Sequence, residues 1–224
     1  MQVQDSTTLY LLKLWPWVEA NRKWLIGGTA AAVLIIFVIW FMVCHNESKE
    51  IAAGQALTQV VISSGAPTAD ALLKIATEQA GTAAAQRALL QGAAALFGAG
   101  KFPEAQAQFQ KYLDAHPDGE FSGQALLGVA ASLEAQGKTD MAAGAYQKVI
   151  GGSSDTPVMS GAKFGLARIE ESQGRFSDAF ALYQGVANAN PSTSLGSEAA
   201  MRSMELKNKL PAAAPTPAAP LKQP

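Results

Sequence analysis

The sequence predicts an all-α chain: one N-terminal transmembrane helix followed by a solenoid of stacked helical hairpins. Three observations predict it. Residues 24–43 carry no charge, Gly100, Gly137 and Gly174 recur at intervals of 37, and 43 of the 224 residues are Ala. Ala is the strongest helix former, and its small side chain lets helices pack closely instead of around a broad aromatic core. Charge and cysteine content exclude other classes. With 17 Lys+Arg against 18 Asp+Glu and no basic cluster, the chain has nothing to displace counterions from a phosphate backbone, so no nucleic acid is expected as a partner. The single Cys cannot pair within its own chain, which removes a disulfide framework.

Taken in order, residues 1–23 form an N-terminal segment. Within it 9–18 read LYLLKLWPWV, aromatic and interrupted by Pro16, which fits an interfacial stretch or a hydrophobic lead-in to the anchor equally. Residues 24–43, WLIGGTAAAVLIIFVIWFMV, match a hydrocarbon core of ~30 Å at a rise of ~1.5 Å per residue. Trp24 and Trp40 stand near opposite ends, where indoles favour the membrane interfaces. A cleaved signal peptide has an apolar region of ~7–15 residues and then small residues, whereas Phe41, Met42, Val43, Cys44 and His45 follow here. Val43 is also too large to precede a lipidated Cys. Lys13, Arg22 and Lys23 precede the span and Lys49 alone closely follows it, which predicts a cytoplasmic N-terminus. Residues 44–224 are then expected outside, in a bacterium in the periplasm, as a single-pass protein of the inner membrane. Gly28 and Ala32 form a small-xxx-small pair of the kind that lets helices approach.

Residues 48–210 read as the exported repeat domain. Residues 48–63 and 68–79 look like a helical pair separated by SSGAP. Then GKFPEAQAQFQKYLDAHP from Gly100 aligns with GKTDMAAGAYQKVIGGSS from Gly137 and GRFSDAFALYQGVANANP from Gly174. Ala105, Ala142 and Ala179 keep the 37-residue step, as do Phe109, Tyr146 and Tyr183, and as do Lys101, Lys138 and Arg175. Ahead of each Gly lies a run with apolar residues at helical spacing, and behind it a second run that ends near Pro or a Gly/Ser loop. The Gly supplies the left-handed turn between the two helices. The Ala lets the second helix approach the first, and the aromatic one turn later fills the space between hairpins. Clear repeats cover 86–119, 123–153 and 160–193. Residues 195–210 look like a closing helix, and residues 211–224, PAAAPTPAAPLKQP, have five Pro in fourteen residues and read as an extended disordered tail.

These units resemble tetratricopeptide repeats, whose period is ~34 residues with Gly, Ala, aromatic and Pro in this order. The resemblance implies that Leu89, Ala93 and Leu96, then Leu126, Ala130 and Leu133, pack the first helix of each hairpin; in the third repeat Lys163 and Glu170 stand at two of those positions. The order of anchor, helix, loop and helix before the first clear repeat, over residues 22–205, is similar to a narrower family. Its members are single-span tetratricopeptide-like inner-membrane proteins known as ancillary subunits of the Sec translocon. That resemblance implies a periplasmic role in passing newly exported chains to chaperones, with translocon components, exported chains or chaperones as partners. The aromatic lead-in and the Pro/Ala tail depart from its pattern. A generic envelope-complex scaffold with no role in export is the alternative.

No motif points to an enzyme. His45 and His116 are the only histidines and lie far apart, Cys44–His45 has no second pair at ligand spacing, and Gly98 and Gly100 lack a following Lys-Ser/Thr. Glu170 and Glu171 are adjacent, so on a helix they diverge by ~100° and read as a solvated face instead of an acid/base pair. No catalytic residue, cofactor, metal or small-molecule substrate is therefore expected. Binding remains. The family's groove-lining positions fall on Leu90, Ala94 and Phe97, then Leu127, Ala131 and Glu134, then Phe164, Arg168 and Glu171. Two readings of them stand: a protein-binding groove, mostly apolar in its first two sets, or ordinary core filled by the helix over 48–63.

Overall fold

The computed structural model describes residues 17, 19–64 and 68–210, without the side chains of 25, 26, 29, 30, 42–46, 61, 63 and 64. The expected lead-in up to Pro16, the loop at 65–67, the tail at 211–224 and the Cys44 and His45 side chains lie outside the described residues. The chain forms two compact units, residues 1–55 and 56–224. Among the described residues there is no strand.

In the first unit the described chain from residue 22 onward is helix. It belongs to α1, Arg22–Ser64, which joins the expected span and the expected helix over 48–63 into one element. No Gly or Pro between 44 and 50 interrupts it. The apolar side chains from 33 to 41 are all more than half exposed, and Phe37 and Trp40 touch at 6.1 Å between ring centroids. Among the described residues no helix is long and apolar enough to cross a membrane. Inside 24–43 the unbroken run of described side chains is 31–41, about 16 Å of helix, roughly half a hydrocarbon core.

The second unit is a stack of helices in chain order: α2 (Ala69–Glu78), α3 (Ala83–Gly98), α4 (Phe102–Ala115), α5 (Ser122–Ala135), α6 (Thr139–Gly152), α7 (Thr156–Ser172), α8 (Phe176–Ala189) and α9 (Ser194–Lys207). Each packs on the next, and α5 also touches α3 and α7. The first helices of successive hairpins therefore share one face, while α4, α6 and α8 form the other layer. Side-chain oxygens of Thr68, Thr82 and Thr193 cap α2, α3 and α9 by accepting from the third residue onward. Asp155 precedes α7 and Pro157 sits in its first turn, where a missing N–H costs nothing, so the helix begins ahead of 160.

The three hairpin turns are copies of one another. Gly100, Gly137 and Gly174 have φ of 76°, 76° and 77°. In each, the glycine N–H donates to the carbonyl three residues back, and the next residue's N–H donates to the carbonyl five back: Lys101 to Leu96, Lys138 to Leu133 and Arg175 to Glu170. This pair of hydrogen bonds satisfies two orphan carbonyls of the first helix. Lys101, Lys138 and Arg175 then start the second helix with φ near −82° and ψ between 60° and 64°.

Behind these turns Ala105, Ala142 and Ala179 are fully buried, and Phe109, Tyr146 and Tyr183 fill the core between hairpins. The rings need a seat, and two glycines provide it. A Cβ at Gly128 would stand 2.6 Å from the Phe109 ring, and one at Gly165 would fall on the ring of Tyr146. These glycines are 37 residues apart and on α5 and α7, each under the aromatic of the preceding hairpin. In the third repeat Glu170 is buried and ion-paired with Arg175, which corrects the expectation of a solvated carboxylate. Ala162, Leu166 and Ile169, one position before the expected apolar set, are buried on α7 together with Ala167. The charge at 170 is thus matched from the turn itself.

Gly165→Ala and Gly185→Ala make the same chemical change with opposite expected outcomes. An added Cβ at Gly185 meets nothing within 4 Å, so alanine there raises stability by about 0.5–1 kcal/mol. At Gly165 it displaces Tyr146, and stability falls by about 1–3 kcal/mol. Urea unfolding followed by far-UV circular dichroism measures both, and shifts of the same sign would contradict the packing.

Candidate protein-binding groove

The 37-residue period sets equivalent residues of α3, α5 and α7 side by side. Arg87, Gln124 and Gly161 share one level, Leu90, Leu127 and Phe164 the next, then Ala94, Ala131 and Arg168, then Phe97, Glu134 and Glu171. Between α3 and α5 the four expected apolar positions Ala94, Phe97, Leu127 and Ala131 come together with the edge of Leu90. They line a cavity of about 220 Å³ whose floor is Phe109 and Gly128. Leu90 is buried in the core, Phe97, Leu127 and Ala131 are half-buried, and Ala94 is exposed. A second cavity of about 240 Å³, with Arg87 and Phe121, shares Leu90, Ala94 and Gln124 with the first. A third of about 640 Å³ shares Phe97 and Ala131 and runs on to Glu134 and Arg168. The three are one continuous groove. Among the described residues, those lining it belong to α3–α7 and the turns between them.

The remaining two expected positions lie elsewhere. Phe164 is buried, edge-on to Tyr183 at 5.2 Å between centroids, with the Arg168 guanidinium 5.9 Å above its ring. Glu171 accepts from the Tyr183 hydroxyl at 3.2 Å. The apolar groove therefore ends at α5, and the third repeat offers polar side chains in its place.

Glu134 forms the groove's charged end. Its Oε2 accepts from the Tyr146 hydroxyl at 2.6 Å and from Arg168 Nη2 at 2.8 Å, tying α5, α6 and α7 together. The same linkage recurs one repeat on as Glu171 with Tyr183. In the first repeat the equivalent pair is Phe97 and Phe109, so an apolar ring replaces the carboxylate where the partner ring has no hydroxyl to satisfy. Burial, then the hydrogen bond and charge of Glu134, push the Tyr146 phenol well above its usual range. Burial, then the Glu171 charge, act likewise on Tyr183.

Sequence reasoning missed Gln124, Phe109 and Gly128 as groove wall and floor, and Arg87 at its end. Gly128 was detectable, since Gly165 follows it by one period. Among the described residues no group of three His, Cys, Asp or Glu could hold a metal ion, and no buried side-chain polar atom lacks a hydrogen-bond partner. His116 is packed against Tyr112 at 5.2 Å between rings. In the polar cleft of about 370 Å³ between residues 117–124 and 152–158, Ser122 donates to the His116 carbonyl at 2.7 Å and Ser153 accepts from the Asp155 N–H at 3.2 Å.

Against models of protein families, residues 16–145 match the tetratricopeptide repeat-like domain and residues 132–193 match the tetratricopeptide repeat. No curated protein matches the chain.

The raised phenols give stability a defined alkaline limit. Below ~pH 10, the ordinary phenol value, folded and unfolded chains hold these protons equally and the stabilisation is complete. Above it the unfolded chain releases protons that the folded chain keeps bound, so stability falls as pH rises toward the folded values. Tyr146→Phe with Tyr183→Phe is expected to make that slope shallower and to cost about 1 kcal/mol per lost hydrogen bond at neutral pH. Unfolding midpoints from about pH 8 to pH 11 test this, and a slope equal to the parent's would contradict it.

Proposed function

The chain belongs to the tetratricopeptide repeat-like family, and from that premise we propose that it is a membrane-anchored protein-binding scaffold of the bacterial periplasm. It acts there as an accessory of the Sec translocon that passes exported chains to chaperones. Helical-repeat domains of this kind bind other proteins on the surface that their stacked helices create. One observation carries the binding reading: the hairpins leave Ala94, Phe97, Leu127 and Ala131 facing an open apolar groove. Such a surface suits the exposed hydrophobic segments of chains that have not yet folded.

The anchor reading draws support from α1, whose apolar side chains from 33 to 41 stand exposed, and from the excess of Lys and Arg before residue 24. The export reading rests on the resemblance of the order of elements over residues 22–205 to that of the ancillary translocon subunits. A repeat domain tethered beside the translocon meets emerging chains at a high effective concentration, so shallow, sequence-tolerant contacts suffice.

Ala94→Cys, in a Cys44→Ser background, places a thiol in the groove. A membrane-impermeant thiol-to-amine crosslinker added to intact spheroplasts is expected to join it to exported chains and translocon components. Protection until the membrane is broken would overturn the topology. Capture of other envelope proteins alone would replace export with the generic scaffold.

A further inference from the structure

We propose that Arg87 makes this groove selective for segments that carry an acidic side chain beside an apolar anchor, an inference that rests on the groove being the binding surface. The two ends of the groove differ in charge balance. At one end Arg168 is neutralised by Glu134 at 2.8 Å. At the other, Arg87 is exposed and takes part in none of the ion pairs among the described residues. Its guanidinium lies 5.9 Å from the centroid of the Phe121 ring. Attraction of a cation to a ring face at this distance restrains the long side chain. The cavity beside it opens into the apolar one through Leu90, Ala94 and Gln124.

The geometry sets the spacing of the ligand. Leu90 and Ala94 lie about 4.5 and 10 Å from Arg87 along α3 at ~1.5 Å per residue. An extended chain covers ~3.3 Å per residue. The acidic residue is then one to three positions from the anchor. A carboxylate here meets an unmatched cation at the rim of an apolar surface, whereas a basic residue meets a like charge.

Purified full-length chain is titrated with fluorescein-labelled, acetylated eight-residue peptides in which Leu-Leu-Ser is followed by Asp, Asn or Lys. Fluorescence anisotropy is expected to show the Asp peptide binding about two- to fivefold tighter than the Asn peptide at low salt, with the gap narrowing at high salt. The gap closes in Arg87→Gln, and the Lys peptide becomes the better ligand in Arg87→Glu. Ala94→Trp, which fills the groove at an exposed position, weakens all three. Equal affinities in the parent, or a preference for Asp that survives Arg87→Gln, would overturn the assignment of Arg87 and leave the groove standing. Absence of binding by every peptide, or binding indifferent to Ala94→Trp, would overturn the groove and this inference with it.

Discussion

The second unit depends on one constraint met twice: the aromatic ring of each of the first two hairpins must lie close against the backbone of the next. Phe109 on Gly128 and Tyr146 on Gly165 meet it because neither glycine presents a Cβ. A ring at that depth replaces several smaller contacts, and it sets the spacing between hairpins. The left-handed turn at Gly100, Gly137 and Gly174 fixes the other coordinate, since two nested hydrogen bonds hold the angle between the helices of each pair. With spacing and angle both defined, equivalent residues of α3, α5 and α7 fall at one level, and the groove is a consequence of the stack instead of a separate construction.

Polarity along that groove follows from how each ring is satisfied. A buried tyrosine hydroxyl without a partner costs free energy, so Tyr146 and Tyr183 are each met by a glutamate twelve residues earlier. Phe109 has no hydroxyl, and the equivalent position is Phe97. The exchange of Glu for Phe is small in sequence and large in effect, because it turns one end of the first two hairpins apolar. Binding capacity is concentrated between α3 and α5 for that reason, while Arg168, Glu134 and Glu171 spend their charges on holding the later helices together.

Much of this was legible in the sequence, and the rest was not for definite reasons. The turns and the buried Ala and aromatic positions were visible because their period is constant and each residue type has one steric use there. Ala94, Phe97, Leu127 and Ala131 follow from the resemblance to tetratricopeptide repeats, and the fold brings them together around one cavity. Phe164 occupies the same level but is sealed by Tyr183 and Arg168, an arrangement that depends on the third dimension. Glu170 looked like a surface residue because its partner, Arg175, lies beyond the turn. Gly128 was passed over because a glycine inside a helix carries no local signal of the ring above it. The continuity of α1 through 44–50 was hidden by a change from apolar to polar residues, which alters the environment of a helix without ending it.

The central claim is that the groove between α3 and α5 stands open in the free protein. Ala94→Cys and Ala131→Cys, each in a Cys44→Ser background, test it through the rate of reaction with a maleimide, with Ser177→Cys as an exposed reference on α8. The account predicts that both groove thiols react within a few-fold of the reference and slow when a peptide with an apolar anchor is added. Groove thiols that are protected in the free chain, and unaffected by peptide, would show those positions to be covered core and would contradict it.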